Sequence, residues 1–146
     1  MKVIILIILA LIILAVSFFV VLSIKSRSGS APGLVDGALA PCPSSPNCVS
    51  SEKNADEAHR VAPFPIDVWE ALPELIGKEG GVVVAINDNY IASELSSPLM
   101  KYVDDVEFRK AEDFVHVRSA SRVGHSDLGT NRKRVEALRA ALTAQK

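Results

Sequence analysis

The chain opens on an unbroken apolar block and then changes character. From Val3 to Ile24, a run of 22 residues, only Ser17 and Ser23 are not strongly apolar. At about 1.5 Å rise per residue, a helix over this run is roughly 33 Å long, enough to cross a hydrocarbon core of about 30 Å. A helix buried in a globular domain would show an amphipathic stripe, and this run has no polar face. Residues 25 to 37 are instead rich in Ser, Gly and Pro. They read as a flexible spacer, with a root-mean-square span of roughly 20 Å. The four prolines between Pro41 and Pro63 then imply an extended, hydrogen-bond-poor strap over the domain surface.

Regular periodicity starts near Pro65. Val68, Trp69, Leu72, Leu75 and Ile76 recur at helical spacing, with Asp67 as a cap, Pro73 as a kink or early stop, and Gly80-Gly81 as the terminator. Four strands follow. Val82 to Ile86 is β-branched, and Asn87-Asp88-Asn89 is a turn. Tyr90 to Leu95 alternates, with Tyr90, Ala92 and Glu94 on one face and Ile91, Ser93 and Leu95 on the other. Tyr102 to Arg109 and Phe114 to Ser121 form a second hairpin around Lys110-Ala111-Glu112-Asp113. A terminal helix carries Leu128, Val135, Leu138 and Leu142 on one stripe, with Ser126 or Asp127 as its cap.

This order predicts an α+β fold: an N-terminal transmembrane helix, then a two-layer domain. That domain has a four-stranded antiparallel sheet, one short helix before it and a C-terminal helix packed on one face. The organisation is an anchor over 1–24, a linker over 25–37, and a single domain over 38–146 with an extended Pro/Cys strap at 38–64. The core is small, so a covalent pin in the strap would help to stabilise it.

Charge and cysteine refine the picture. Beyond Ser28 the chain carries 13 Lys and Arg against 17 Asp and Glu, a net of −4. That balance argues against general nucleic-acid binding and against a body lying flat on anionic lipid. A cleaved signal peptide is the main competitor to a retained anchor. Its apolar region is normally about 7 to 15 residues long and ends at a small-residue site, whereas Ile24-Lys25-Ser26-Arg27 follows this run. Lys2 on one side and Lys25 and Arg27 on the other leave the positive-inside rule nearly tied. Cys42 and Cys48 lie close enough for a short-loop disulfide, with free thiols or a two-thiolate metal site as alternatives. No complete metal-ligand set is adjacent, the nearest histidine being His59. An oxidising compartment fits the even count.

Candidate chemistry concentrates on the second hairpin. Pairing Arg109 with Phe114 puts Phe108 opposite Val115 and Val106 opposite Val117 on a buried face. Glu107 then meets His116 and Asp105 meets Arg118 on the other. A one-residue slip would invert both faces. The bland reading is a solvated face with ion pairs worth about 0–1 kcal/mol each. The sharper one joins Asp105, Glu107, His116 and Arg118 to Arg122, His125 and Asp127 as a site for an anion or ligand, because arginine binds carboxylate or phosphate bidentately. No Gly-x-Ser-x-Gly is present. Ser121 and Ser126 near the histidines and Asp127 have only the residue types of a triad, and the histidine spacing fits no closed metal site.

Three motifs then point to a family. Pro41-Cys-Pro-Ser-Ser-Pro-Asn-Cys-Val-Ser-Ser51, Tyr102-Val-Asp-Asp-Val-Glu-Phe108 and Val117-Arg-Ser-Ala-Ser-Arg-Val-Gly-His-Ser-Asp-Leu-Gly-Thr-Asn-Arg-Lys-Arg-Val-Glu136 together resemble the domain-of-unknown-function 1499 family over about residues 38 to 142. The resemblance implies an exported or membrane-anchored placement in bacteria or plastids and brings no established activity. Tyr102 stands where that family more often has phenylalanine, and His125 where it has tyrosine.

The expectation is therefore a single-pass protein of the inner (cytoplasmic) membrane, anchored through residues 3–24, with its domain on the periplasmic side. Its expected role is non-catalytic, as an accessory module of the cell envelope that binds an envelope protein or a small anionic ligand, with no cofactor, metal or nucleic acid. The alternative is a small hydrolase using the His/Arg/Ser cluster at 116–127.

Overall fold

The computed structural model of the protein describes residues 1–144. Lys2–Arg27 form α1, which is long and apolar enough to cross a membrane by length and composition. Its side chains are exposed along almost the whole length, and the exceptions are informative: Ser23 and Ser26, in the last two turns, are buried. The segment expected as a free spacer does not hang loose. It runs back over the sheet and forms a hairpin of β1 (Leu34–Val35) and β2 (Ala38–Leu39). Asp36 and Gly37 turn it with φ of 51° and 78°, the left-handed pair that a two-residue Asp-Gly turn requires.

The strap also contributes more than expected. Cys48–Ser50 form β3 and Phe64–Pro65 form β4, and both pair antiparallel with the last strand of the sheet. After β4 come a 3₁₀ helix at Ile66–Ala71 and α2 at Leu72–Lys78. Pro65 occupies the cap position expected of Asp67, which falls in the first turn. Pro73 opens α2 instead of kinking it, because proline loses no hydrogen bond in a first turn. Where the chain leaves α2, a Cβ on Gly81 would stand 2.8 Å from Ile76 Cγ2, so the close approach of strand to helix there requires glycine.

The strands β5 (Val82–Ile86), β6 (Tyr90–Ser96), β7 (Val103–Lys110) and β8 (Phe114–Ser121) follow, and then α3 (Thr130–Ala144). The sheet order is β3-β8-β7-β6-β5, with β4 also on β8. The α+β class stands, with six strands in place of four. The β7–β8 register differs from expectation by two residues: Phe108 faces Val117, Glu107 faces Arg118 and Arg109 faces His116. The turn is tighter than expected, closed by the Ala111 amide on the Phe114 carbonyl. An even slip leaves every side chain on its expected face while changing its partner.

One face of the sheet packs against α2, α3 and the 3₁₀ helix. Val106, Phe108, Val115, Val117 and Ile91 are wholly buried there with Leu72, Ile76, Val135 and Leu138. The Phe64 and Phe108 rings meet at 6.1 Å. Leu128, expected on the α3 stripe, lies before the helix and is 88% exposed. Buried Asn131 takes the position one turn before Val135 and bonds to Ser119 and Ser121 on the sheet.

Candidate functional site

The opposite face of the sheet carries the sequence candidates, and it too is covered. Alternation puts Asp105 and Glu107 of β7 beside Arg118 of β8 and Tyr90 and Glu94 of β6. The end of α1, the β1–β2 hairpin and Glu52 close over them. Glu107 is fully buried. It accepts hydrogen bonds from the Tyr90 hydroxyl at 2.6 Å, the Gly33 amide at 2.9 Å and Arg118 Nη1 at 3.0 Å. Asp105 receives a fork from Arg122, Nε at 2.9 Å and Nη2 at 2.6 Å. Arg122 also reaches Glu94 at 2.6 Å and donates from Nη1 to the Ser26 carbonyl of α1 at 3.0 Å.

Further along, Arg109 forks onto Glu52 at 2.7 and 2.9 Å, and Glu52 also accepts the Leu39 amide at 3.0 Å. Burial raises the Glu52 carboxyl, but the bonds from Arg109 and Leu39 and the charge of His116 outweigh it, holding the group below its ordinary 4.5. Burial and the adjacent Glu107 carboxylate push the Tyr90 hydroxyl far above its usual range, so it remains a donor. The Asp105 hydrogen bond, with help from Glu94, keeps the Arg122 guanidinium charged against burial. Arg118 Nε is the exception to this mutual satisfaction, being buried without a partner among the described residues.

The candidates therefore separate. Asp105, Glu107, Arg118 and Arg122 join one network, in which the expected Glu107–His116 and Asp105–Arg118 pairs give way to Glu107–Arg118 and Asp105–Arg122. His116 stands at its edge. Its Nδ1 lies 3.0 Å from the Ser51 carbonyl, so that nitrogen carries the proton. Its Nε2 has no partner among the described residues, and the ring lines a shallow depression of about 350 Å³ with Lys53, Asn54 and Arg109. Ser51 Oγ, at 3.3 Å, and Glu52, at 3.8 Å, approach the same Nδ1, so among the described residues no serine and acid sit on opposite ring nitrogens as a triad requires.

His125 is exposed and outside this network. Asp127 caps α3, accepting the Gly129 amide at 3.0 Å and the Asn131 amide at 2.7 Å. Burial raises its carboxyl, but these amides prevail and hold it low. Ser126 accepts the Leu128 amide, and Ser121 turns to Asn131. No group of three metal-ligating side chains forms among the described residues. Cys42 and Cys48 lie at disulfide distance, 5.7 Å between Cα atoms. They hold the loop whose Asn47 bonds to Gly124 at 2.7 Å and Ser121 at 2.9 Å.

Sequence reading missed Glu52, Arg109, Tyr90 and Glu94 as members, although the alternation of β6 already put the last two on this face. The contributions of Ser26 and Gly33 are partly backbone groups, which leave no side-chain signature. The Val35-Asp36-Gly37 turn signal was the one clue to a docked hairpin.

A second concave feature lies where α1 meets the domain. Ser23 Oγ donates to the Met100 carbonyl at 2.6 Å, Ser26 Oγ accepts the Val103 amide at 3.2 Å, and the Tyr102 hydroxyl donates to the Phe19 carbonyl at 3.2 Å. Beside these bonds is a groove of about 300 Å³. Phe19, Leu22 and Val123 give it apolar walls, and Tyr102, Asp104 and Asp127 are among its polar lining.

No curated protein and no solved structure matches the chain. The family described as protein of unknown function (DUF1499) matches residues 38–142, which span β2 through most of α3, and the chain belongs to that family.

Proposed function

We propose that the chain is a membrane-anchored module whose domain stands on the extracytoplasmic side and binds a partner or ligand without catalysing a reaction. The observation that carries this reading is the seating of the last turns of α1 in the domain. Ser23 and Ser26 are buried and bonded to Met100, Val103 and Arg122. A cleaved leader would strip those partners away and leave polar groups unpaired, at about 1–3 kcal/mol each where they stay buried. The domain is thus held at a fixed height and tilt on its anchor. The cysteine pair at disulfide distance supports an oxidising compartment.

Asp105, Glu107, Arg118 and Arg122 serve in this reading as the clamp that holds the anchor's exit segment on the sheet. Their charges are neutralised within the fold, so the contact surface lies elsewhere, with the inner (cytoplasmic) membrane as the site of action. Protease treatment of intact spheroplasts tests this directly. The expected result is a full-length chain in the membrane fraction and digestion of its domain from outside. A mature chain beginning after residue 27, or a domain protected until the cells are lysed, overturns it.

One observation favours an enzymatic second reading: His116, whose Nε2 has no partner among the described residues, lines a depression beside Lys53. In that case the purified chain hydrolyses small acyl esters and His116→Gln abolishes the activity. A parent chain inert to such a panel sinks this alternative.

A further inference from the structure

The groove between α1 and the domain has the position and lining of a lipid site. Phe19 and Leu22 belong to the apolar run that ends at Ile24. Phe19 is five residues short of that end, about 7.5 Å along the axis. In an anchored chain the groove therefore opens at the level where acyl chains meet headgroups. Tyr102, which reaches down to the Phe19 carbonyl, is the residue type favoured at that level. Two otherwise unexplained leucines flank the same region. Leu99 is 89% and Leu128 is 88% exposed, on the loops that carry the groove residues Ser97 and Asp127. Exposed apolar side chains on adjoining loops are explained if those loops dip into the interface.

The polar lining selects the headgroup. Among the described residues, Asp104 and Asp127 are the only charged side chains in it, and no Lys, Arg or His lines the groove. Asp127 accepts three N–H bonds, from Gly129 and from the amide and side chain of Asn131. Its own amide also points at the carboxylate, so Asp127 supplies mainly its negative charge and Asp104 the more open acceptor. Asp104 meets Arg134 through Oδ2, and its other oxygen has no partner among the described residues. Thr130 directs its hydroxyl hydrogen to the Asp127 carbonyl, leaving oxygen lone pairs as its remaining capacity. Arg134 offsets the Asp104 charge from outside the lining, and acceptor oxygens predominate within it.

We infer that this groove binds a phospholipid with a primary ammonium headgroup. The ammonium donates to Asp127, Asp104 and the neighbouring hydroxyl oxygens, and one acyl chain lies along Phe19 and Leu22. This rests on the retained anchor proposed above, and the two can fail separately. Loss of the anchor is read from the mature N-terminus in cells, and loss of lipid selectivity from the intact chain in vitro.

The test reconstitutes the full chain into nanodiscs containing equal parts phosphatidylethanolamine, phosphatidylcholine and phosphatidylglycerol, then measures co-retained lipid by native mass spectrometry after detergent release. Even the weakest of these charge-assisted hydrogen bonds is worth about tenfold, so phosphatidylethanolamine should be retained at least about tenfold over the other two. Phosphatidylcholine tests the N–H donors, and phosphatidylglycerol tests the charge. Val123→Trp, from a loop position on the groove wall, should remove retention without shifting the melting temperature. Asp127→Asn should reduce it, and Thr130→Val provides a milder lining change that leaves the α3 cap in place. Equal retention of all three lipids, preference for phosphatidylglycerol, or undiminished selectivity in Val123→Trp would overturn the assignment.

Discussion

On one face of the central sheet Val106, Phe108, Val115 and Val117 are wholly buried against the helices. On the other, Glu107 is buried just as completely, beneath a two-strand hairpin and the end of a helix. The apolar face is held by non-directional burial, worth about 25 cal/mol per Å² and tolerant of which apolar neighbour supplies the contact. The polar face depends on donors placed one by one: Tyr90, Gly33 and Arg118 on Glu107, and Arg122 on Asp105. The first kind of face adheres to any apolar surface of suitable shape. The second accepts only a segment that brings the right N–H and C=O groups, and so determines which stretch of chain covers it.

Breaking each face separately sharpens this contrast. Phe108→Ala should cost about 3–5 kcal/mol as a cavity. Arg118→Ala should cost a similar amount, about 3–5 kcal/mol, by leaving Glu107 charged and unpaired in the interior. Denaturant unfolding of the solubilised chain measures both, and a loss below about 1 kcal/mol for Arg118→Ala would mean the polar face is wet. Replacing the pair together, Glu107→Leu with Arg118→Met, should recover only part of that stability. Apolar residues of similar volume often match a buried ion pair, but the Tyr90 hydroxyl and Gly33 amide lose their acceptor.

Next in size is the cysteine pair, which closes a loop across a separation of six residues. Reduction or Cys42→Ser should cost about 2 kcal/mol. The loss should show first as faster hydrogen exchange at Asn47 and Ser121, since that loop docks there. Asp127→Ala should cost about 1 kcal/mol through the lost cap of α3. A null result in thermal unfolding would remove Asp127 from that role.

The smallest effect concerns acid. Glu52 has a folded pKa below its ordinary 4.5, so its contribution is fully present above that value and disappears as pH falls through the folded one. The parent chain should therefore lose stability on acidification below about pH 4.5, and Glu52→Gln should flatten that limb of the curve. An unchanged slope would show that the Arg109–Glu52 fork does not couple to folding.

The contrast also explains what could be read from the sequence. Alternation at Val106, Phe108, Val115 and Val117 identifies the apolar face without knowing what lies above it. The same alternation puts Asp105, Glu107, His116 and Arg118 together, but polarity alone reads as solvent. What covers them is carried by backbone groups of Ser26 and Gly33 and by a hairpin of two-residue strands, too short for any periodicity. The register escaped for a related reason. A two-residue shift keeps every face intact, so the hydrophobic pattern cannot detect it, and only the tightness of the Ala111–Phe114 turn decides. The strands Cys48–Ser50 and Phe64–Pro65 are likewise below the length at which alternation is visible. Their pairing depends on β8 already being in place.

The bond from Arg122 to the Ser26 carbonyl joins residues 96 positions apart, and that from Gly33 to Glu107 spans 74. During synthesis the covering segment emerges first and must wait for nearly the whole domain before it has anything to cover. Until then the acid-and-arginine face has no lid, and the segment that supplies it is already fixed to α1. Completion of this face is therefore timed by Glu107 and Arg122 and localised by the helix that precedes them. A domain made without its helix would reach the last step of assembly with its lid no longer fixed in place.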